Sequence, residues 1–221
     1  MTRSRLRWRR WAGRALFECA LIVVSVLVAL AVANWAEERR TAARVAEARA
    51  YFVGEIRSNR EILADPAYIP HHERLRGIFA QTAEIGNPTL DQAMPAFRAM
   101  FQTGIHVAPL RDAVWRSASS SDLLAEMPLT EVFLLSDIYQ MQDQLQRLHE
   151  GFVQGSPAML AGMEAGRGVR AGVTSTQLHL GDVVASEGAL LEKYDQALAE
   201  LDPQGKVPAA RGPGDAAPPK G

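Results

Sequence analysis

Glu18 opens an otherwise apolar run, Leu16 to Trp35, and its position is the first in this chain to demand a chemical account. A carboxylate inside a bilayer is costly and marks a partner contact or a pathway. Arg14 lies one helical turn earlier, so pairing at headgroup level is the plainer role and contact with a membrane partner the sharper one. A single helix with a single acidic group offers no relay, which argues against proton transport. At about 100° per residue, Ser25 and Ala29 fall close to the line of Glu18, and Ala33 flanks it. Small residues four apart let two membrane helices approach closely. Glu18, Ser25, Ala29 and Ala33 therefore form a candidate interaction face, for a second copy of this chain or for another membrane protein.

The remaining reactive side chains assemble into no recognised pattern. His71-His72-Glu73 is a tempting triplet, but neighbours on a helix point about 100° apart, and neither H-E-x-x-H nor a cysteine-containing zinc spacing is present. His106, His149 and His179 stand isolated in the sequence and are expected to be surface or satisfied core groups. Ser119-Ser120-Ser121 lacks a G-x-S-x-G elbow, and Gly162, Gly166, Gly168 and Gly172 lack the Lys-Ser/Thr ending of a phosphate loop. No catalytic residue, metal ligand or cofactor-binding residue is assigned, and the chain leans away from being an enzyme.

These residues must be positioned by a membrane segment and by the helices beyond it. At a rise of ~1.5 Å per residue, about 20 residues cross the ~30 Å apolar core of a bilayer, and a helix satisfies its own backbone there. Arg3, Arg5, Arg7, Arg9, Arg10 and Arg14 precede the span with no acidic residue among them. Short basic tails stay in the cytoplasm, which places residues 1–15 inside and sends the remainder to the periplasm of a bacterial inner membrane. The 24 basic and 25 acidic residues of the chain thus conceal an acidic excess beyond the span, which excludes a nucleic-acid binder. Trp8, Trp11 and Trp35 are interfacial anchors, their rings apolar and their N–H groups wet, in contact with membrane lipid. The sole cysteine, Cys19, lies in the span, so the exported part folds without disulfides. Ala31-Val32-Ala33 before Asn34 also fits the small-x-small site of a cleaved signal peptide. Against cleavage stand the length of the apolar run and the absence of a helix breaker. Arg9-Arg10 is not followed by a twin-arginine pattern.

Beyond Trp35, the spacing of Val45, Phe52, Ile56 and Leu63 predicts that the helix continues to about Ala64. Glu37, Glu38, Arg39, Arg40, Arg44 and Glu47 give it a solvated face. A second helix is expected over 71–85, ended by Gly86-Asn87-Pro88. Thr89 to Gln92 offers a capping box for a third, although Pro95 implies a kink or a later start near Met94. Residues 105–110 read as a short extended piece, and 110–117 as a brief helix carrying Trp115. The strongest downstream pattern runs from Leu129 to Phe152, with Leu135, Ile138 and Leu145 on its inner face. These three, with Trp115, are expected in the core. A Gly-rich connection is expected over 155–172, with one turn near 158–163, then a last helix capped by Thr176 or Asp182. The sequence thus predicts an all-α protein: basic tail 1–15, transmembrane helix 16–35, periplasmic helical bundle 36–202, and a disordered Pro/Gly/Ala-rich tail 203–221.

The segment from Glu18 through Asn34-Trp35-Ala36-Glu37-Glu38-Arg39 resembles the signature of an uncharacterised family of short single-pass bacterial membrane proteins. Those chains carry a basic tail, a Glu-led Ile/Val/Leu-rich span ending in Trp, and then Glu and a basic residue. Val114-Trp115-Arg116-Ser117-Ala118-Ser119 is a fainter echo of the same family. The resemblance implies a single-pass envelope protein with a helical outer domain and brings no activity. The leading function is an interaction or scaffold module acting through the transmembrane helix and the bundle. The alternative is a periplasmic ligand-sensing domain that signals through a membrane partner, with a hydrolase third.

Overall fold

The computed structural model describes residues 3–205; the tail expected to be disordered lies almost wholly outside them. Among the described residues there are seven helices and no strand: α1 Arg3–Leu63, α2 Ile69–Ala83, α3 Leu90–Thr103, α4 Ala113–Ser119, α5 Leu123–Glu126, α6 Leu129–Glu164 and α7 Val169–Leu201. The chain divides into two compact units, the division falling within α1 after Glu47.

In the first unit α1 carries apolar side chains on every side between Leu21 and Trp35. Large side chains from Phe17 to Trp35 leave more than half their surface uncovered. It is the one helix among the described residues long and apolar enough to cross a membrane. Ser25 spends its hydroxyl within the helix, donating to the carbonyl of Leu21 at 2.8 Å. The Arg39 guanidinium lies over the Trp35 ring, 4.6 Å from its centroid. Arg40 pairs with Glu37 one turn away, an exposed contact that contributes little.

The second unit is a bundle built on α7, which packs along α2 and α6 and touches α3. One part of its core joins Leu75 and Phe79 of α2, Phe97 and Met100 of α3, Met163 of α6, and Val173 and Leu180 of α7. Phe79 and Phe97 meet edge to face at 5.0 Å. Elsewhere Phe52, Ile56 and Leu63 of α1 are buried, as are Leu135, Ile138 and Leu145 of α6 and Leu190 and Tyr194 of α7.

Three boundaries differ from the sequence expectation. α3 starts at Leu90, not near Met94, because both halves of the Thr89–Gln92 capping box form. Pro95 sits inside it, and Asp91, whose carbonyl loses a donor, is exposed to water. α6 continues through Gly151, Gly155 and Pro157 to Glu164, which replaces the expected Gly-rich connection. Pro157 cannot donate to the Val153 carbonyl, but the Ser156 hydroxyl does so at 3.0 Å. The α6–α7 connection is therefore short, and Gly166 and Gly168 turn it with φ of +71° and +73°. α7 then begins at Val169 without a side-chain cap, and Thr176 donates to the Gly172 carbonyl inside the helix instead of capping one. Residues 104–112 have no regular secondary structure.

Candidate functional site

Two polar residues on the buried face of α1 organise the site. The Glu55 carboxylate accepts the Tyr139 hydroxyl at 2.7 Å and the Val114 N–H at 3.1 Å, in the first turn of α4. Burial, and then the neighbouring Glu55, hold the Tyr139 phenol well above its usual range. The fully buried Asn59 amide donates to the Arg111 carbonyl at 2.7 Å and accepts the Arg111 N–H at 2.8 Å. This pins one end of the irregular 104–112 segment. His106 pins the other, its ring nitrogens 2.9 Å from the carbonyl oxygens of Ala67 and Thr103.

Between this segment and α6 lies a cleft of about 830 Å³. One wall is residues 107–110, with Asp112 and Trp115; the other is the face of α6 from Ser136 to Gln154, including Tyr139, Gln142, Asp143, His149 and Glu150. Trp115 lies parallel to Tyr139 at 5.2 Å. It is only partly buried, a correction to its expected place in the core, because the ring roofs Tyr139 and its remaining surface faces the cleft. Leu135 and Ile138 are fully buried, and Leu145, also buried, reaches the cleft wall. Gln142 donates to the Tyr194 hydroxyl at 2.8 Å, fixing the floor to α7.

His149, on the cleft wall, belongs to a string formed by the chain's five histidines. His71 stacks on His106 at 4.5 Å; His71 and His72 are 5.6 Å apart, His72 and His149 5.8 Å, and His149 and His179 6.2 Å. His106 is exposed on the 104–112 segment, as expected of a surface histidine, whereas His149 of α6 and His179 of α7 are core groups with unpartnered ring nitrogens, a correction to the expectation that they are satisfied. His179 stacks on Phe152 at 4.1 Å. His72 and Glu187 are both fully buried, with Nδ1 and Oε2 2.9 Å apart. His72 Nε2, Glu187 Oε1, His179 Nε2 and both ring nitrogens of His149 are buried with no hydrogen-bond partner. Burial first, then His72 and His179, lowers His149 to about 4. Burial also lowers His179 to about 4, opposed by Asp182. Both rings are therefore neutral at pH 7. No three His, Cys, Asp or Glu side chains among the described residues are placed to hold a metal ion.

No family model, curated protein or solved structure matches this chain. Its function is therefore a question of geometry.

The residues singled out in the span do not join this site. Glu18, Ser25, Ala29 and Ala33 are all exposed on α1. The side chains of Trp8 and Trp11 lie outside the described residues, and Trp35 is exposed beneath Arg39. The residues that the sequence did not single out are Glu55, Asn59 and Glu187, and His149 was expected to be no more than a surface or satisfied core group. Their signal was register: His149 continues the buried row Ile138, Gln142, Leu145, and Glu187 sits between Val183 and Leu190 on the buried face of α7. A polar residue that occupies a core register has a partner or a task.

Proposed function

We propose that this chain is a single-pass inner-membrane protein with a cytoplasmic N-terminus, whose periplasmic helical domain binds a small molecule and reports it to a membrane partner. The observation that carries the reading is the cleft. Its volume falls in the range of small-molecule sites, about 300–1,000 Å³, and it combines an aromatic wall with converging amides and carboxylates. No nucleophile and base stand paired in it, so the reading is binding and not turnover. The apolar exterior of α1 from Phe17 to Trp35 requires cover, which a bilayer supplies. The stripe of Glu18, Ser25, Ala29 and Ala33 is where a partner helix would dock, so the scaffold role enters as the means of signalling.

The test is a thermal-shift screen of the full chain in a non-ionic detergent against a small-molecule library, repeated on Trp115→Leu. The expected result is a set of compounds that stabilise the wild type and lose their effect in the variant. Stabilisers that act equally on both, or none at all, would refute the binding role. The membrane arm is read by site-directed cross-linking: capture of a neighbour from Ala29, reduced in Glu18→Gln, is the expected outcome.

A further inference from the structure

His149 and His179 face each other across the α6–α7 contact, and three of their four ring nitrogens are buried without a partner. His149 exposes 3 % of its surface and His179 9 %, with the rings 6.2 Å apart. A charge placed on a ring so enclosed loses its hydration and repels a second charge on the other. The surrounding groups give little relief. His72 of α2 opposes a proton on either ring, and the buried carboxylate of Glu187, on α7, is taken by His72 Nδ1 at 2.9 Å. Asp182 favours a proton on His179 but is exposed. Asp143, Arg147, Glu150 and Arg167, on the walls of the cavities that the two rings line, are exposed as well and carry charges of both signs. Asp112, across the cleft from His149, pairs with Arg116. Burial therefore decides, and it holds both rings at about 4, below the ordinary 6.5.

The α6 stretch that covers these rings is the least anchored part of that helix. Upstream, Leu135, Ile138 and Leu145 are buried, Gln142 donates to Tyr194, and Lys193 of α7 pairs with Asp137. From 149 to 164 only His149 and Met163 are buried, and Phe152 covers His179 at 4.1 Å. Gly151, Gly155 and Pro157 lie in this arm, and each weakens a helix interior. A cavity of about 640 Å³ runs between the arm and the first turns of α7, from Gly151 and Gly155 to Ala171 and Ser175. We propose that residues 149–164 are an acid-released latch: as pH falls, this arm of α6 leaves α7, His149 and His179 take up protons in water, and α6 up to Leu145 stays in place. Release uncovers Phe152, Met159, Leu160 and Met163, so the acid form carries an apolar surface that the neutral form covers. A ring that binds its proton at 6.5 when uncovered and at about 4 when covered raises the opening equilibrium roughly 30-fold between pH 7.5 and pH 5, and two such rings approach roughly a thousandfold.

The experiment is amide hydrogen exchange of the full chain in a non-ionic detergent, followed by mass spectrometry from pH 7.5 to pH 5 and corrected for the intrinsic pH dependence of exchange. Opening of 149–164 is expected to rise by roughly 10³ over that range, with a slope approaching two decades per pH unit between 5.5 and 5, while 132–145 and α3 gain less than about tenfold. The slope counts protons. It should fall to about one in His149→Leu and in His179→Leu and to near zero in the double variant, with near-UV circular dichroism at pH 7.5 confirming that each is folded. Where a leucine variant loses that signal, His149→Gln or His179→Gln, uncharged at every pH, takes its place. Protection lost evenly over α2, α3 and the whole of α6 would mean general acid unfolding and overturn the latch. A slope of one or less in the wild-type arm overturns it too, and both readings need only the wild type. A double variant that keeps the wild-type slope overturns the assignment to these two histidines.

Discussion

His149→Leu is expected to stabilise the bundle and to flatten its acid sensitivity. Both ring nitrogens of His149 are buried without a partner, so the substitution breaks no hydrogen bond and removes a desolvation cost. Unpaired buried polar groups cost about 1–3 kcal/mol each, and a net gain of ~1 kcal/mol at pH 7.5 is expected once imperfect shape is allowed for. The pH term adds to this. Burial holds His149 at about 4 in the fold, below its ordinary value of 6.5. Above pH 6.5 the ring is neutral folded and unfolded, and no stability is lost. Between 6.5 and about 4 the unfolded chain binds the proton and the folded one does not, so stability falls as pH falls. At ~1.36 kcal/mol per pH unit, His149 alone lowers stability by about 2 kcal/mol between pH 7.5 and pH 5. Urea unfolding of the full chain in non-ionic detergent, wild type and variant at both pH values, measures the difference. Titration of the histidine ring protons by NMR reads His149 directly. An equal loss of stability on acidification in wild type and His149→Leu, or a His149 resonance titrating near 6.5, would refute the reasoning.

Glu187→Leu leaves the buried Nδ1 of His72 without its acceptor and should cost about 3 kcal/mol, whereas Glu187→Gln, which keeps an acceptor, should cost less; urea midpoints decide this. Asn59→Ala removes both hydrogen bonds to the Arg111 backbone and should cost about 2 kcal/mol, with amide exchange accelerating first over 105–112. Gly172→Ala places a Cβ 2.5 Å from the Met163 sulfur, a side chain that can shift, so a loss of ~1 kcal/mol is expected, with Gly172→Val several times worse in thermal unfolding.

What could be read from the sequence is what is locally encoded. The apolar run declares a lipid-compatible helix through composition alone, and Thr89 with Gln92 declares the start of α3 through two reciprocal hydrogen bonds. The end of α6 was illegible because Gly155 and Pro157 are breakers by type, whereas in the fold the Ser156 hydroxyl supplies the donor that proline lacks and Met159, Leu160 and Met163 pack the last turns on the core. The start of α7 was equally hidden, since Gly168 supplies a conformation and no capping side chain. The site depends on pairs with no local trace. His72 and Glu187 are 115 positions apart, and Asn59 and Arg111 are 52 apart. Only the placement of Glu55, His149 and Glu187 in apolar registers hinted that something polar had to meet them.

The segment 104–112 is held by His71 on the Gly104 carbonyl, by Ile105 packed on the core, by His106 beside the carbonyls of Ala67 and Thr103 and by Asn59 on Arg111, and between these ties Val107 and Pro109 lie exposed. The stretch from Val107 to Pro109 is the part of the cleft wall with the least apolar cover. Local opening there uncovers little apolar surface, so amide exchange is expected to be faster over 107–109 than in the helices that pack Phe79, Phe97 and Leu180.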